Sequence, residues 1–234
     1  YLHLDRDLSG TKTGRNGRHP LPDRADFARR MGELGLHDDL PVVAYDASGG
    51  MYAARLWWML RWIGHARVQV LDGGLAAWDA AGGALQAGPV APNVPATLTL
   101  RPPLASLLDF DAVLAGLGQP GRLVVDARAP DRFRGENETL DPVGGHIPGA
   151  ANRFFRDNLQ PDGRFKLPAQ LLAEWQAVAG SRPASDLVQQ CGSGVTACHN
   201  LLALAAAGLD GAALYAGSWS EWCSRDNAPM ALGG

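Results

Sequence analysis

The chain has 234 residues, 46% of them apolar, and a net charge of −3, enough material for one large domain or two small ones. That charge gives no electrostatic case for nucleic acid or a membrane surface, and no apolar run approaches the ~20 residues of a membrane span. The three cysteines, Cys191, Cys198 and Cys223, are an odd number without a C-x-x-C pair. This suits a reducing, cytoplasmic compartment better than a disulfide framework.

The first patterned stretch runs from Val42 to Trp78, VVAYDASGGMYAARLWWMLRWIGHARVQVLDGGLAAW. It reads as strand, Gly-containing loop, helix, short strand, Gly turn and aromatic-ended helix. Within it, Arg55 to Leu60 continues as a helix that Met51 and Trp62 help to bury, a stripe typical of a core. Residues 88–103, with their prolines and the alternating Thr97-Leu98-Thr99-Leu100, read as an extended linker, with room for a short strand. Asp111 to Ala115 is a helical fragment and Leu123 to Asp126 a strand. Asp131 to Glu136 follows, then a polar loop to the GGHIPGAAN run at Gly144–Asn152. Ala169 to Val178 is an amphipathic helix.

The chain then reaches LVQQCGSGVTACHNLLALAAAGL, Leu187 to Leu209. Set beside Val42–Trp78, it reveals an internal repeat. Asp46 falls opposite Cys191, Gly64 opposite Gly208, Gly73 opposite Gly217 and Trp78 opposite Trp222, at an offset of 145 for the first pair and 144 for the rest. Such a period is too long for a solenoid and marks a duplicated domain. The predicted division is a first domain over 1–87, a linker over 88–103 and a second domain over 104–234. Strands alternating with helices in each copy imply parallel sheets covered on both faces, with ligands at the strand C-termini, where Cys191 sits.

Gly192 and Gly194 let the backbone after Cys191 curl so that successive N–H groups point inward as an anion nest. The helix opening near Thr196 adds its positive end. A cysteine in that position favours its thiolate and suits a nucleophile. The loop contains no arginine, which argues against phosphoryl transfer. Cys198-His199 lacks zinc-ligand spacing and reads as helix packing. No metal site is expected.

These residues carry a resemblance. CGSGVTA is similar to the active-site loop of the tandem-domain rhodanese-like sulfurtransferases, in particular their 3-mercaptopyruvate branch. Thiosulfate sulfurtransferases of the family place basic residues directly after the cysteine, where this chain has Gly192 and Ser193. The resemblance implies an α/β fold of two rhodanese-like domains. The first is silent, with Asp46 in place of the nucleophile. It lacks the strand and the GGHIPGAAN-type motif with which such domains begin, so an N-terminal part is expected to be missing. The implied chemistry moves sulfur from 3-mercaptopyruvate to Cys191 as a persulfide, then to cyanide or a thiol acceptor such as thioredoxin, without a cofactor.

By the same resemblance Ser193 joins an Asp and a His of the first domain in a proton relay. HLDRDLSG maps the Asp to Asp5, with Asp7 as rival, and RHPLP maps the His to His19. Arg132 resembles the arginine that holds the donor carboxylate, with Arg134 as rival. Gly192, Gly194, Val195 and Thr196 line the donor site, and Thr196 is also read as capping its helix. A second family arginine falls at Asp141, leaving Lys12, Arg15 or Arg18 to compensate. His146 is read as structural, closing the turn with Pro148 and Gly149. Asp126 is read as a loop tie, and Trp219 as either a wall of the cup or a domain-interface residue. Two alternatives stay open: a thiosulfate sulfurtransferase, and a non-catalytic module that binds or senses persulfides.

Overall fold

A computed structural model describes residues 1–91 and 93–233. Pro92, inside the predicted linker, and Gly234, at the end of the second domain, lie outside the described residues. The first domain contains α1 (Leu4–Asp7), α2 (Arg24–Glu33), β1 (Val42–Ala44), α3 (Met51–Trp62), β2 (Val68–Val70) and α4 (Gly74–Ala80). The second contains β3 (Ser106–Leu108), α5 (Phe110–Ala115), β4 (Leu123–Asp126), α6 (Pro130–Arg134), β5 (Ala151–Asn152), α7 (Pro168–Ala179), β6 (Leu187–Gln190), α8 (Thr196–Ala206), β7 (Ala213–Tyr215) and α9 (Ser218–Trp222).

The second-domain sheet has five strands in the order β3-β7-β6-β4-β5, all parallel. Its central strands are buried on both faces, and alternate residues serve opposite layers. Val125, Leu187 and Leu214 face a core that includes Trp175 of α7 and Leu204 of α8. Val124, Val188 and Tyr215 face a second core, with Phe110 of α5 and Trp219 and Trp222 of α9. The first domain pairs only β1 with β2, in parallel, among the described residues. The duplication is visible element by element: β1-α3-β2-α4 repeats as β6-α8-β7-α9.

The apolar stripe of α3 explains how the copies meet. Trp57, Trp58, Met59, Leu60 and Trp62 are buried, and they join the same core cluster as Leu201 and Leu204 of α8. Each such side chain contributes roughly 1.5–3 kcal/mol through burial. The two domains therefore share one core across the α3–α8 contact.

The short strand for which the linker left room does not form. Thr97–Leu100 forms no strand; it lies extended along the first domain. Ala96 N–H donates to the Gly32 carbonyl (2.8 Å), Arg101 N–H to the Ile63 carbonyl (3.0 Å) and Thr99 N–H to an Asp38 oxygen (2.8 Å). Leu98 is buried. Single anchoring bonds to the first domain take the place of strand pairing along this segment.

A polar tie closes the domain interface. His199 of α8 stacks on Phe165, with ring centroids 4.6 Å apart. Its Nε2 lies 3.1 Å from the first-domain Gly49 carbonyl, and its Nδ1 lies 3.3 Å from Asn158 Nδ2. Those partners fit a neutral ring that donates from Nε2 and accepts at Nδ1. Burial pushes the His199 imidazole down from 6.5 to about 4, against the pull of the Gly49 carbonyl. The unfolded chain therefore takes up a proton below about pH 6.5 that the folded chain refuses until about pH 4, so stability falls as pH falls through that window. Urea midpoints are expected to decline from pH 7 to pH 5. Replacing His199 with Gln should remove up to about one proton from the slope of unfolding free energy against pH. An unchanged slope in that variant would exclude the neutral tie.

Candidate active site

Cys191 follows β6 directly and is 2% exposed. Its backbone is gripped from α9: Cys191 N–H donates to Ser218 Oγ (3.0 Å), and Trp219 N–H donates to the Cys191 carbonyl (2.9 Å). Ser220 N–H donates to the Gly192 carbonyl (2.9 Å). Ser218 is fully buried and holds φ at 54°, a left-handed conformation disfavoured for a non-glycine residue. Its hydroxyl also donates to the Tyr215 carbonyl (2.9 Å), so the strain fixes the strand–loop junction. Nothing in the residue pattern marks Ser218, because a serine before an aromatic helix is an ordinary surface pattern.

The predicted nest is present. Ser193 N–H points at Cys191 Sγ (3.5 Å). Gly194 sits at φ 79°, and a Cβ there would run into the Ala216 carbonyl, so only glycine fits. Among the described residues, the N–H groups of Gly192, Gly194, Val195 and Thr196 meet no protein acceptor. Thr196 does not cap its helix: it is the first residue of α8, preceded by Val195, with no side-chain cap bond. The uncapped end leaves the first-turn donors to the loop. Trp219 does not wall the cup either. It is fully buried beneath it, its indole N–H donating to the Val143 carbonyl (2.8 Å) and the Arg128 guanidinium lying over its ring.

Three residues distant in sequence converge beside Cys191. Ser193 Oγ lies 2.7 Å from His19 Nδ1, and His19 Nε2 lies 3.6 Å from Asp5 Oδ1. This spacing sets the neutral tautomer, with Nδ1 accepting from the serine hydroxyl and Nε2–H facing the carboxylate. Burial brings His19 down to about 4, partly opposed by Asp5. Lys12, which bonds Asp5 at 3.1 Å, holds that carboxyl below its ordinary value. Asp7 is engaged elsewhere, accepting from His3 N–H and Arg30.

The mouth of the cup is a balanced ionic cluster. Arg132 forks onto Glu138 at 2.8 Å and approaches Asp141 at 3.5 Å, while Arg18 pairs with Asp141. Both guanidinium groups overhang Gly192: a Cβ built there would lie 2.8 Å from Arg18 Nη2 and 3.5 Å from Arg132 Nη2. Of the three first-domain cations weighed against Asp141, Arg18 is the one at the cup; Arg15 pairs with Asp226 and Lys12 with Asp5. Arg134 is bound to Glu136. Burial pushes the Asp141 carboxyl up, against the pull of Arg18. Burial would also raise Glu138, but bonds from Arg132 and nearby amides hold it below its ordinary value. Asp126 ties the loops as expected, forking onto buried Arg128 at 2.7 Å. His146 is structural by another route than the Pro148–Gly149 turn: its ring stacks on Phe133 and binds the Phe133 carbonyl (2.9 Å).

The first domain holds the same nest, filled. Asp46 Oδ1 accepts from the Ser48 and Gly50 N–H groups (2.7 and 2.9 Å), and Oδ2 from those of Tyr52 and Ala53 (2.8 and 2.9 Å). Where the second copy presents a sulfur, the first presents a tethered carboxylate.

A family model described as "Rhodanese-like domain" matches residues 2–81 and 109–225. A Pseudomonas aeruginosa protein named "Probable 3-mercaptopyruvate sulfurtransferase" is 50% identical over 235 aligned positions, covering 100% of this chain and 82% of its own length. The mouse thiosulfate sulfurtransferase is 40% identical over 212, covering 88% of this chain and 70% of its own. The solved 3-mercaptopyruvate sulfurtransferase from Leishmania major superposes with a TM-score of 0.85 at 32% identity, over 97% of this chain and 63% of that one.

Asp46→Ala leaves four amides of the first-domain nest without their acceptor and is expected to destabilise the protein by about 1–2 kcal/mol in urea unfolding, the range of a lost helix cap. A loss below a few tenths of that would mean water satisfies those donors equally well.

Proposed function

The chain belongs to the rhodanese-like family, and from that premise we propose that it is a 3-mercaptopyruvate sulfurtransferase whose sulfur carrier is Cys191. One observation carries this reading. The duplicated nest holds a permanent carboxylate at Asp46 in one copy and a cysteine in the other. A nest that binds an anion so fully in the first domain is suited, in the second, to a sulfur anion that comes and goes.

The thiolate of Cys191 attacks the sulfur of 3-mercaptopyruvate. A sulfur–sulfur bond forms, the carbon–sulfur bond breaks, and pyruvate departs as its enolate. The donor's thiol proton must reach the enolate carbon. Ser193 relays it, with His19 as the neutral base behind the hydroxyl and Asp5 orienting the imidazole. The Cys191 persulfide anion rests on the N–H groups of Ser193, Gly194, Val195 and Thr196. Arg132 and Arg18 receive the donor carboxylate beside Gly192, a planar group that suits guanidinium forks. An acceptor thiolate, from thioredoxin or a small thiol, then attacks the outer sulfur and restores Cys191. The three unpaired cysteines fit a reducing cytoplasm, and no membrane-crossing helix occurs among the described residues.

The relatives named for thiosulfate make that donor the second reading, and Arg18 supplies a cation that the loop itself lacks. The charge balance still favours the monoanion. Arg18 and Arg132 already face Glu138 and Asp141, so a dianion meets no excess of positive charge.

Intact mass after incubation with 3-mercaptopyruvate is expected to rise by one sulfur atom, removable by a reducing thiol, and Cys191→Ser should abolish both the gain and turnover. Persulfide on the serine variant would exclude Cys191 as carrier. For donor choice, kcat/KM should favour 3-mercaptopyruvate over thiosulfate by ~10-fold or more, about 1.4 kcal/mol in the transition state. Ser193→Lys should narrow the gap, and equal use of both donors by the wild type would put the thiosulfate reading first. Ser193→Ala and His19→Asn should each lower kcat by about 100-fold with 3-mercaptopyruvate. Wild-type kcat in either variant would remove the relay.

A further inference from the structure

Arg55 lies in α3 of the domain without the nucleophile and is fully buried. Its Nη1 donates to the Gly194 carbonyl (3.2 Å), and its Nη2 donates to the carbonyls of Leu8 (3.2 Å) and His19 (3.1 Å). Its Nε has no partner. No carboxylate lies within ion-pairing distance of it among the described residues, whereas the other arginine buried near the site, Arg128, is clamped by Asp126 and Glu138. A buried guanidinium with only carbonyls around it is costly unless an anion completes its surroundings. The ionisable groups that face it are the thiols of Cys198 and Cys191 and the imidazole of His19, which burial keeps neutral. Cys198 is pushed up by burial to about 12 and stays protonated, its Sγ donating to the same Gly194 carbonyl (3.3 Å).

Arg55 from the first domain and Cys198 from α8 thus hold one carbonyl of the catalytic loop between them. A peptide unit is planar and trans, so the Val195 N–H must point the opposite way, toward the cup. The carbonyl of His19 is held by the same guanidinium, which fixes the relay segment relative to the loop.

Resting on the reading of Cys191 as sulfur carrier, we propose that Arg55 is a positioning residue lent by the silent domain. It locks the Gly194–Val195 peptide with its N–H toward the sulfur, and its charge is completed by the thiolate and persulfide of Cys191. This assigns the first domain a part in the chemistry beyond the relay groups it contributes.

The test compares Arg55→Met, which keeps an unbranched side chain without charge or donors, with Arg55→Lys, which keeps the charge but not the fork. The first readout needs no sulfur donor: the pH profile of Cys191 alkylation by iodoacetamide, mapped by peptide mass. The Met variant should move the midpoint up by about one pH unit or more, and the Lys variant should stay close to wild type. With 3-mercaptopyruvate, Met should lower kcat by about 10-fold or more and Lys by several-fold, with KM changing less than about two-fold because Arg55 does not touch the donor. Wild-type profile and kcat in the Met variant would overturn the proposal. Should that variant fail to fold, wild-type kcat in the Lys variant would overturn it. A wild-type protein that gains no sulfur would instead defeat the functional reading, while the alkylation profiles would still decide whether Arg55 governs Cys191.

Discussion

The site depends on a shortage of acceptors. A helix entered through a tight glycine loop leaves its first-turn N–H groups without partners, and folding must find an anion for them or leave them to solvent. The two copies of this domain resolve that shortage differently. The first installs a carboxylate permanently, Asp46 taking four amides. The second leaves the amides to a sulfur that changes charge state during the reaction. The chemistry of the second copy is the capping problem of the first with a reactive atom in the cap's place.

The remaining structure keeps that arrangement from relaxing. Ser218, Trp219 and Ser220 hold the Cys191–Gly192 backbone from behind, and Arg55 and Cys198 hold Gly194 from the side. The shared α3–α8 core then packs the first domain against the second. That packing brings His19 to Ser193. A loop fixed on several sides solvates a developing charge without reorganising, which is what makes fixed amides more effective than water.

Much of this was legible in the sequence because it is local or duplicated. The nest follows from two glycines between a strand and a helix. The division into two domains follows from the repeat, and the positions of Asp5 and His19 from the resemblance of two short segments to the family's. What escaped is non-local or concerns groups whose ordinary role is different. Arg55 opens an apolar helical stripe, and nothing in that pattern marks its guanidinium as fully buried against the loop of the other domain. Ser218 carries its strain silently, since a serine does not announce a positive φ as a glycine or an asparagine would. Thr196 looked like a cap by residue type, but the cap position fell one residue earlier, on Val195, because the loop needs its donors unspent. The linker's alternating Thr-Leu pattern left room for a short strand. Leu98 turns inward but Leu100 stays exposed, so the alternation is not carried through and the segment pairs with no strand.

Asp141 shows how the chain handles a missing cation. An acid at that position deprives the second domain of a second arginine, and an uncompensated carboxylate beside the donor site would repel any anionic substrate. Arg18 answers it from the other domain: it pairs with Asp141 and reaches Gly192, so the acid becomes the anchor that delivers a first-domain guanidinium to the cup. Glu138 does the same for Arg132. The carboxylates hold both forks in place and cancel their net charge. A site built this way binds its donor by the shape and direction of hydrogen bonds more than by the field of free positive charge. A planar monoanion suits it for that reason. A small dianion, which benefits most from unbalanced charge, finds less here than in a loop that carries its own cations.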